Sequence, residues 1–433
     1  MQLTRSYLQS ILTSMIIGLG GVLIYKLAGY FFEQTTFLEY ALFKRNLSLI
    51  HPTLLLGMGV ALPREISLST RGTDDQDNFN ILLLIAALIS VGVAYACVCV
   101  VFFIYSEDIA LLLFGSRIAA KLAMPLILAT GGLLLHSLCY SYFRGKMEMG
   151  MANFLEIING FAIPLVTVLM FSNSLEILFY ANAILHFAFS MVVCLVILNT
   201  PAAKASMMSF DIIFRSVLRL LRIGLGRLPG DFAYYFIVCL PPIACANITN
   251  AENGGGLALM LSLLGFSSLP FTAFSVIALP YSANRIRDNQ PDLLMVEIGR
   301  VLKYCFLYAC LVITIIQILS EWIVSLFLTP PYDNYSYMLR LISISLFPHV
   351  AYLSMRSIVD VIYLGARNAR NCFISISLQI LVDYLGYILA PSHTISIVIL
   401  SYCFSMLVLT VLTYISLRKG LVLLKSSCNP SLK

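Results

Sequence analysis

The sequence predicts an all-α polytopic membrane protein with twelve transmembrane helices in two six-helix bundles, both termini cytoplasmic. The mean hydropathy is +0.92 over 433 residues, of which 60% are hydrophobic and only 11% charged. Apolar runs of about 20 residues, each long enough to cross a hydrocarbon core of ~30 Å, recur along the whole chain. The net charge of +6 falls on no soluble basic domain, so we expect no nucleic-acid partner.

Apolar runs bounded by polar or turn residues predict the six helices of the first half. The first run starts near Leu8 behind Arg5, and no A-x-A cleavage pattern follows Gly21. We therefore expect a retained helix rather than a signal peptide. The predicted spans are 8–31, 38–62, 79–104, 122–143, 153–171 and 176–198.

The same criterion predicts six helices in the second half, after a wider connection at about 199–223. In that connection Phe210, Ile213 and Val217 alternate with Arg215 and Arg219. An apolar face with a basic edge is typical of a helix that lies on an anionic leaflet. The predicted spans are 224–248, 256–282, 304–328, 338–363, 372–390 and 395–417.

The basic residues orient the chain in the membrane. With the N-terminus in the cytoplasm, only Arg117 and Lys121 fall on outer connections, and every other Lys or Arg outside the spans is cytoplasmic. This asymmetry places both termini in the cytoplasm. The predicted domains are an N-terminal bundle at 1–199, an amphipathic linker at 200–223, a C-terminal bundle at 224–417 and a cytoplasmic tail at 418–433.

A short sequence parallel supports the division into two equal halves. Ile17 to Gly20 reads Ile-Gly-Leu-Gly, and the same four residues recur from Ile223 to Gly226. Halves of equal orientation indicate a parallel duplication about an axis along the membrane normal. In transporters this plan places the substrate path between the halves.

Six basic residues lie inside the predicted spans, where a charge facing lipid costs about 3 kcal/mol. Such residues usually face a water-filled cavity, and a cavity of this sign attracts an anion. Lys44 and Arg45 point about 100° apart on one helix, so both fit only into a wide cavity. Arg340 and Lys26 are also near helix ends and could extend to the interface. The six are Lys26, Lys44, Arg45, Arg227, Arg340 and Arg356.

The predicted substrate-binding cations are Lys26, Lys44, Arg45, Arg227 and Arg356. Arg227 and Arg356 each stand four residues before an aspartate, on one helix face. They could therefore bind cargo or form structural intrahelical pairs.

The predicted gating or coupling residues are the intramembrane acids Asp231, Asp360 and Asp383. Asp383 has no basic residue within four positions, so it could carry a coupling proton if it is buried, or meet an interhelical partner.

The remaining residue types predict no bound metal and no cofactor other than a coupling proton or sodium ion. The eleven cysteines form no C-x-x-C or His-spaced cluster. Four histidines inside spans are each isolated in sequence, so we expect them to form core hydrogen bonds. No G-x-x-x-x-G-K-[ST] motif for ATP is present. The four are His51, His136, His186 and His349.

Three stretches resemble a known exporter superfamily. They are LLLGMGVALPR from Leu54 to Arg64, RIGLGRLPGDF from Arg222 to Phe232 and PFTAFSVIALPYSANR from Pro270 to Arg285. With twelve spans in two halves, the chain resembles the polysaccharide-transport branch of the multidrug/oligosaccharidyl-lipid/polysaccharide exporter superfamily, in particular the O-antigen flippases of bacterial inner membranes.

The resemblance implies a flippase that moves an oligosaccharide linked to undecaprenyl pyrophosphate from the cytoplasmic to the periplasmic leaflet, for O-antigen and lipopolysaccharide biosynthesis. It implies a multi-pass protein of the bacterial inner membrane, a lumen formed mainly by helices one, two, seven and eight, and a polysaccharide polymerase, chain-length proteins and membrane lipids as partners. The anionic pyrophosphate suits the intramembrane cations.

Two alternatives stay open. A multidrug or organic-cation exporter of the same fold would favour an acidic cavity. A membrane polysaccharide polymerase or acyltransferase would need a large outer loop or a histidine in a polar constellation.

Overall fold

The computed structural model describes residues 2–69, 76–199, 210–288, 290–363 and 366–428, and in these ranges the chain is built from helices. It divides into two compact units, Met1–Phe232 and Ala233–Lys433. The first unit contains α1 (Gln2–Phe31), α2 (Gln34–Leu54), α3 (Met58–Ser69), α4 (Gln76–Ile104), α5 (Ser106–Phe114), α6 (Ala123–Gly145), α7 (Met149–Ile157), α8 (Ile163–Met170), α9 (Leu175–Leu198) and the first part of α10 (Phe210–Ile248).

The second unit starts within α10 and continues to the last helix. It contains α11 (Ala251–Ser267), α12 (Leu269–Arg287), α13 (Pro291–Ser325), α14 (Asp333–Ser343), α15 (Leu346–Tyr363), α16 (Ala366–Leu389) and α17 (Thr394–Cys428). Within the first unit, α6 packs extensively on α9 and also contacts α3. Within the second, α15 and α16 both pack on α17, and α12 packs on α15.

The number of membrane crossings falls short of the predicted twelve. Among the described residues nine helices are long and apolar enough to span a membrane, and eleven if each of two bent pairs counts as one span. The bent pairs are α2 with α3, at 44°, and α14 with α15, at 46°. The predicted span 256–282 is divided at Ser268 into α11 and α12 and is not among them.

The predicted linker at 200–223 differs from the structure over the residues that can be compared. Its residues 200–209 lie outside the described residues. From Phe210 onward the backbone is part of α10, which continues unbroken to Ile248. The prolines and glycine at 229, 230, 241 and 242 therefore do not interrupt this helix. Arg219 pairs with Glu65 of α3 at 2.5 Å, and that glutamate is 4% exposed.

The bend between α2 and α3 follows from two backbone features. Pro52 cannot donate to the carbonyl one turn earlier, which weakens the helix there. Four and five residues after Pro52, Leu56 and Gly57 adopt φ angles of 52° and 71°. A left-handed pair of residues ends the helical path and lets α3 restart in a new direction.

Gly57 and Gly224 let this bend touch α10 through the backbone. A Cβ atom built on Gly57 would overlap the carbonyl of Gly224, and one built on Gly224 would overlap the carbonyl of Leu56. Neither obstacle is a flexible side chain, so the backbone itself would have to move. Glycine at position 224 is therefore required by the approach of the two segments.

We predict opposite effects for two alanine substitutions two residues apart on α10. Gly224→Ala is expected to lower the thermal unfolding midpoint in detergent, because the new methyl group meets the Leu56 carbonyl. Gly226→Ala is the matched control, since nothing in the described part of the chain lies within 4 Å of its Cβ position. Alanine at an unobstructed helix position is favoured by about 0.5–1 kcal/mol. Equal midpoints for the two variants would contradict the close approach.

Candidate functional site

Buried polar side chains are the main candidates for a functional site among the described residues. Over the part of the chain that the structure describes, no group of three or more His, Cys, Asp or Glu side chains is placed to hold a metal ion. Two clusters of hydrogen-bonded polar side chains instead lie within the helices, one in each unit.

In the first unit, Asn159 joins two histidines from different helices. Its amide Nδ2 lies 2.8 Å from Nδ1 of His136 on α6, and its Oδ1 lies 2.8 Å from Nδ1 of His186 on α9. With the amide in this orientation, His136 accepts and His186 donates. Both histidines and the asparagine are buried. The three side chains form one network, here called the histidine cluster.

Further polar groups surround the histidine cluster. Nε2 of His136 faces Oε1 of Glu156 at 3.8 Å. The third histidine, His51 of α2, lies 2.9 Å from Oγ of Ser137, the residue next to His136. Our expectation that these histidines form hydrogen bonds inside the protein is confirmed for His51, His136 and His186. The sequence did not show that they lie near one another, because residues distant in sequence meet where α2, α6 and α9 pack.

Local backbone geometry places Asn159 at the centre of the cluster. Residues Ile158–Ala162 form a π-helical turn between α7 and α8, and such turns shift side chains out of the usual helical register. Gly132 allows the approach of α6 to α9, because a Cβ there would lie 2.8 Å from Cβ of His186. The π turn and the glycine contact have no clear signal in the sequence.

Lys44 is a predicted cation that lies near this cluster. It is half-buried on α2 and near enough to His186 for an electrostatic interaction. Among the described residues its ammonium group forms no hydrogen bond or ion pair. A partly buried charge without a counter-ion is costly unless water or an anionic ligand reaches it. Lys44 therefore has the properties of a binding residue.

The other predicted cations differ in exposure and in partners. Lys26 is exposed on α1, whereas Arg45 and Arg227 are half-buried and interact with neighbouring groups. The Arg356 guanidinium stacks over the ring of Tyr234 at 5.0 Å. Arg340 donates to Ser320 at 2.5 Å and pairs with Glu321 at 2.9 Å. The charge of Arg340 is therefore already paired within the protein, and no bound anion is required to balance it.

The predicted acids also have partners. Asp231 is half-buried and interacts with neighbouring groups. Asp360 is buried and accepts a hydrogen bond from Nδ2 of Asn368 at 3.4 Å. Asp383 is buried on α16 and accepts at Oδ1 from the hydroxyl of Ser401 on α17. The predicted interhelical partner of Asp383 is thus a neutral hydroxyl.

Asp383 ends a row of buried polar side chains at four-residue spacing on α16, here called the polar seam. It comprises Asn371, Ser375, Gln379 and Asp383, all buried on a helix that packs against α17. Nδ2 of Asn371 donates to Oγ of Ser416 at 3.1 Å, and Oγ of Ser405 donates to the carbonyl of Ser375 at 2.8 Å. Four-residue spacing places the seam on one helix face.

A cavity of about 220 Å³ lies within the second unit between α12, α13 and α15. Its lining is mostly apolar, with Tyr281 and Glu297 among the polar exceptions. The Tyr281 hydroxyl donates to Glu297 at 2.7 Å and accepts from Nε of Arg285 at 2.9 Å. The hydrogen bond from Arg285 to Tyr281 raises the pKa of this arginine. None of the residues predicted from the sequence lines this cavity.

We predict that the histidine cluster stabilises the first unit. His186→Phe keeps a ring of similar size but leaves Oδ1 of Asn159 buried without a donor, which costs about 1–3 kcal/mol. His393→Phe is the matched control, because His393 is exposed. Thermal unfolding in detergent should show a lower midpoint for His186→Phe only. A midpoint equal to that of the control would show that the hydrogen bond adds no stability.

Comparison with known proteins identifies the fold. No family model matches the chain, and no curated protein matches it. Among solved structures it is similar to an inward-facing multidrug resistance MATE family transporter of the MOP superfamily, with a TM-score of 0.78, 12% identity and 96% of each chain covered.

Two further structures share the architecture. A MOP superfamily transporter from Pyrococcus furiosus, described as having a binding pocket of reverse polarity, gives a TM-score of 0.68 at 13% identity, with 97% of this chain and 96% of that chain covered. The eukaryotic MATE transporter AtDTX14 gives 0.67 at 11% identity, with 98% of each chain covered. With its apolar helices, the chain is a multi-pass membrane protein that has the fold of the MATE transporters of the MOP superfamily.

Proposed function

We propose that this protein is a secondary transporter that moves an organic molecule across a membrane, and not an enzyme. The observation that carries the proposal is the likeness to an inward-facing multidrug transporter over 96% of both chains. A fold alone does not determine function, so the buried charges must support the cargo class.

The comparisons favour a small-molecule exporter over a lipid-linked oligosaccharide flippase. Both an inward-facing and an outward-facing structure among the similar proteins are named as multidrug resistance transporters. Export of small amphipathic molecules is therefore our leading proposal.

The charges favour an anionic cargo within that class. Lys44 is half-buried and has no ion pair among the described residues, and Arg45 and Arg227 are also half-buried in helices that cross the membrane. We propose that these cations line the cargo path, where they would repel an organic cation, because the charges have the same sign and little water screens them. The Pyrococcus structure is described as having reverse polarity in its pocket, which supports the idea that this fold can accept cargo of either sign.

A lipid-linked oligosaccharide flippase is the second candidate, and the same cations favour it. A pyrophosphate head group is strongly anionic and would bind Lys44 and the arginines through charge-assisted hydrogen bonds. In this case undecaprenyl pyrophosphate would be the carrier, the bacterial inner membrane the location, and polymerase and chain-length proteins the partners.

Ion coupling completes the proposal. Secondary transporters need a gradient, and a proton or sodium ion would bind an intramembrane carboxylate. Asp231, Asp360 and Asp383 are the acids we propose for gating or coupling, and the histidine cluster offers further groups that can bind protons. Binding of the ion would shift the balance between two conformations that accept cargo from opposite sides.

Transport assays can separate the two cargo classes. The purified protein is placed in lipid vesicles with a pH gradient, and uptake is measured for a fluorescent organic anion, a fluorescent organic cation and a short-chain polyprenyl pyrophosphate sugar. Uptake of the organic anion supports our leading proposal. Movement of the lipid-linked sugar alone supports the flippase, and uptake of the cation alone contradicts the argument from charge.

We predict that Lys44 contributes to anion transport through its charge. Lys44→Gln should reduce anion uptake about tenfold, equivalent to about 1.4 kcal/mol of lost interaction, whereas Lys44→Arg should retain part of it. Arg340→Gln is the control, because Arg340 is engaged by Ser320 and Glu321. A loss as large for Lys44→Arg as for Lys44→Gln would indicate packing rather than charge.

A further inference from the structure

We propose that Asp383 carries a proton on Oδ2 and donates it to Oε1 of Gln379, so that α16 and α17 enclose a single-proton binding site. The protonated state follows from the local geometry alone. Its use in driving transport rests on the proposed function.

The three side chains of the site are withdrawn from solvent. Asp383 is 8% exposed, and Gln379 and Ser401 are both 0% exposed. Both α16 and α17 are apolar enough to span a membrane. Asp383 lies six residues before the end of α16 at Leu389, about 9 Å along the helix. A carboxylate in this position has no bulk water to stabilise its charge.

Two acceptor oxygen atoms of these side chains have no hydrogen-bond donor. Oδ1 of Asp383 accepts from Ser401, while Oδ2 is buried and has no hydrogen-bond partner among the described residues. Nε2 of Gln379 donates to the carbonyl of Ile237 at 3.5 Å, while Oε1 is buried and likewise has no partner there. Two oxygen atoms that can only accept are thus buried without a donor.

Gln379 and Asp383 are neighbours on the same helix face, because residues four apart stand one above the other. Two buried acceptors side by side repel each other. One proton on the carboxyl group changes this, because a protonated carboxyl has an O–H donor and keeps an acceptor oxygen. Oδ2–H then donates to Oε1, and Oδ1 still accepts from Ser401, so every group is satisfied.

Rotation of the Gln379 amide does not resolve the conflict. In a helix the carbonyl of residue 237 accepts from the N–H of residue 241, but Pro241 has no N–H. The carbonyl of Ile237 therefore needs another donor, and Nε2 of Gln379 supplies it. Rotating the amide would set Oε1 against this carbonyl and only move the unpaired acceptor. Pro241 thus fixes the direction in which Oε1 points.

The charges nearby do not neutralise an ionised Asp383. Burial and the Ser401 hydroxyl are the influences on this carboxyl group, and no basic side chain of the described residues acts on it. An unpaired charge at this depth costs about 3 kcal/mol or more. The helices packed against α16, and the part of α10 at 233–248, carry the following titratable or charged side chains among the described residues: Tyr402, Cys403, Tyr414, Arg418, Lys419 and Lys425 on α17, His349, Tyr352, Arg356, Asp360 and Tyr363 on α15, Tyr234, Tyr235, Cys239 and Cys245 on α10, and His393 in the turn at 391–393.

A proton suits this site better than a sodium ion. Hard cations such as Ca²⁺ and Mg²⁺ take six or more oxygen ligands, and a sodium ion would need a comparable shell. The site offers the carboxyl, Gln379 Oε1 and Ser401 Oγ, and backbone carbonyls inside α16 and α17 accept helical hydrogen bonds. A proton on Oδ2 of Asp383 needs only one acceptor oxygen, and Oε1 of Gln379 can be that acceptor.

Infrared spectroscopy tests the proton directly on the purified full-length protein. The wild type at neutral pH should show the carbonyl band of a protonated carboxylic acid that disappears in Asp383→Asn. Asp292→Asn is the matched control, because Asp292 is exposed and paired with Lys425 at 2.9 Å; it should leave the band unchanged. Gln379→Leu should shift the band, because the O–H loses its acceptor. No band difference between wild type and Asp383→Asn would overturn the proposal.

A stability measurement gives a second readout that does not depend on transport. Asp383→Asn keeps the pattern, because its Nδ2 can donate to Gln379 and its Oδ1 can accept from Ser401, so it should fold. The wild type should lose thermal stability as pH rises, because the folded state holds a proton that the unfolded chain releases. The thermal stability of the Asp383→Asn variant should not fall over the same pH range.

A wild-type band that vanishes when sodium is added would also overturn the proposal, since a cation would then occupy the site. A band that is present without gradient-driven uptake would keep the proton site and remove its role in the proposed transport.

Discussion

Every polar group within a membrane-spanning segment must find its partner inside the protein, and this constraint governs the interior of both units. Water is absent from the hydrocarbon core, so an unpaired polar group costs several kcal/mol. Asn159 bonds both His136 and His186, Asn182 bonds Thr167, and Asn371 bonds Ser416. Each bond joins two helical segments. The polar side chains thereby fix which faces of the helices meet.

Small residues make these polar contacts possible, because side chains as short as asparagine and serine bridge only closely packed helices. Gly132 brings α6 against the backbone of α9 at His186, and Gly131 accepts the ring of Tyr95 from α4. Small residues at helix contacts replace the hydrophobic driving force that lipid removes. The glycines bring the helices of the first unit close together, and the short polar side chains can then reach their partners.

The sequence predicted the helices well and the buried clusters poorly, for a physical reason. Helical spans are signalled by local hydropathy, so the predicted spans fall on helices, and 79–104, 122–143 and 176–198 agree with the helix bounds within three residues at both ends. The helices α10, α13 and α17 extend more than ten residues beyond the predicted spans, because polar residues at a helix end carry no apolar signal. The bend at Gly57 has a local signal, since Pro52 stands five residues before it. The division at Ser268 has a local signal as well, since Pro270 follows two residues later and occupies the first turn of α12.

Contacts between distant residues carry no comparable signal. His51, His136 and His186 are separated by 85 and 50 positions in the sequence, and their clustering depends on how α2, α6 and α9 pack. Basic residues were easier to identify as unusual than to place. Arg340 and Lys44 look alike in sequence, yet Arg340 is paired with Glu321 and Lys44 has no ion pair among the described residues. Burial and partners, rather than residue type, separate a structural cation from a candidate binding residue.

Pro241 shows how a defect in one helix can create function in another. The proline removes one helical N–H donor while α10 continues to Ile248, so the carbonyl of Ile237 lacks its usual donor. The amide Nε2 of Gln379 donates to this carbonyl, and Oε1 of the same amide then faces Asp383. With a neutral carboxyl group on Asp383, the Ile237 carbonyl and the side chains of Gln379, Asp383 and Ser401 all have hydrogen-bond partners. Because α10 and α16 share this chain of hydrogen bonds, loss of the proton would leave two acceptors opposed and favour a different packing of the helices. A single ionisation could therefore change the contact between α16 and α10, which is the kind of bistable element that ion-coupled transport requires.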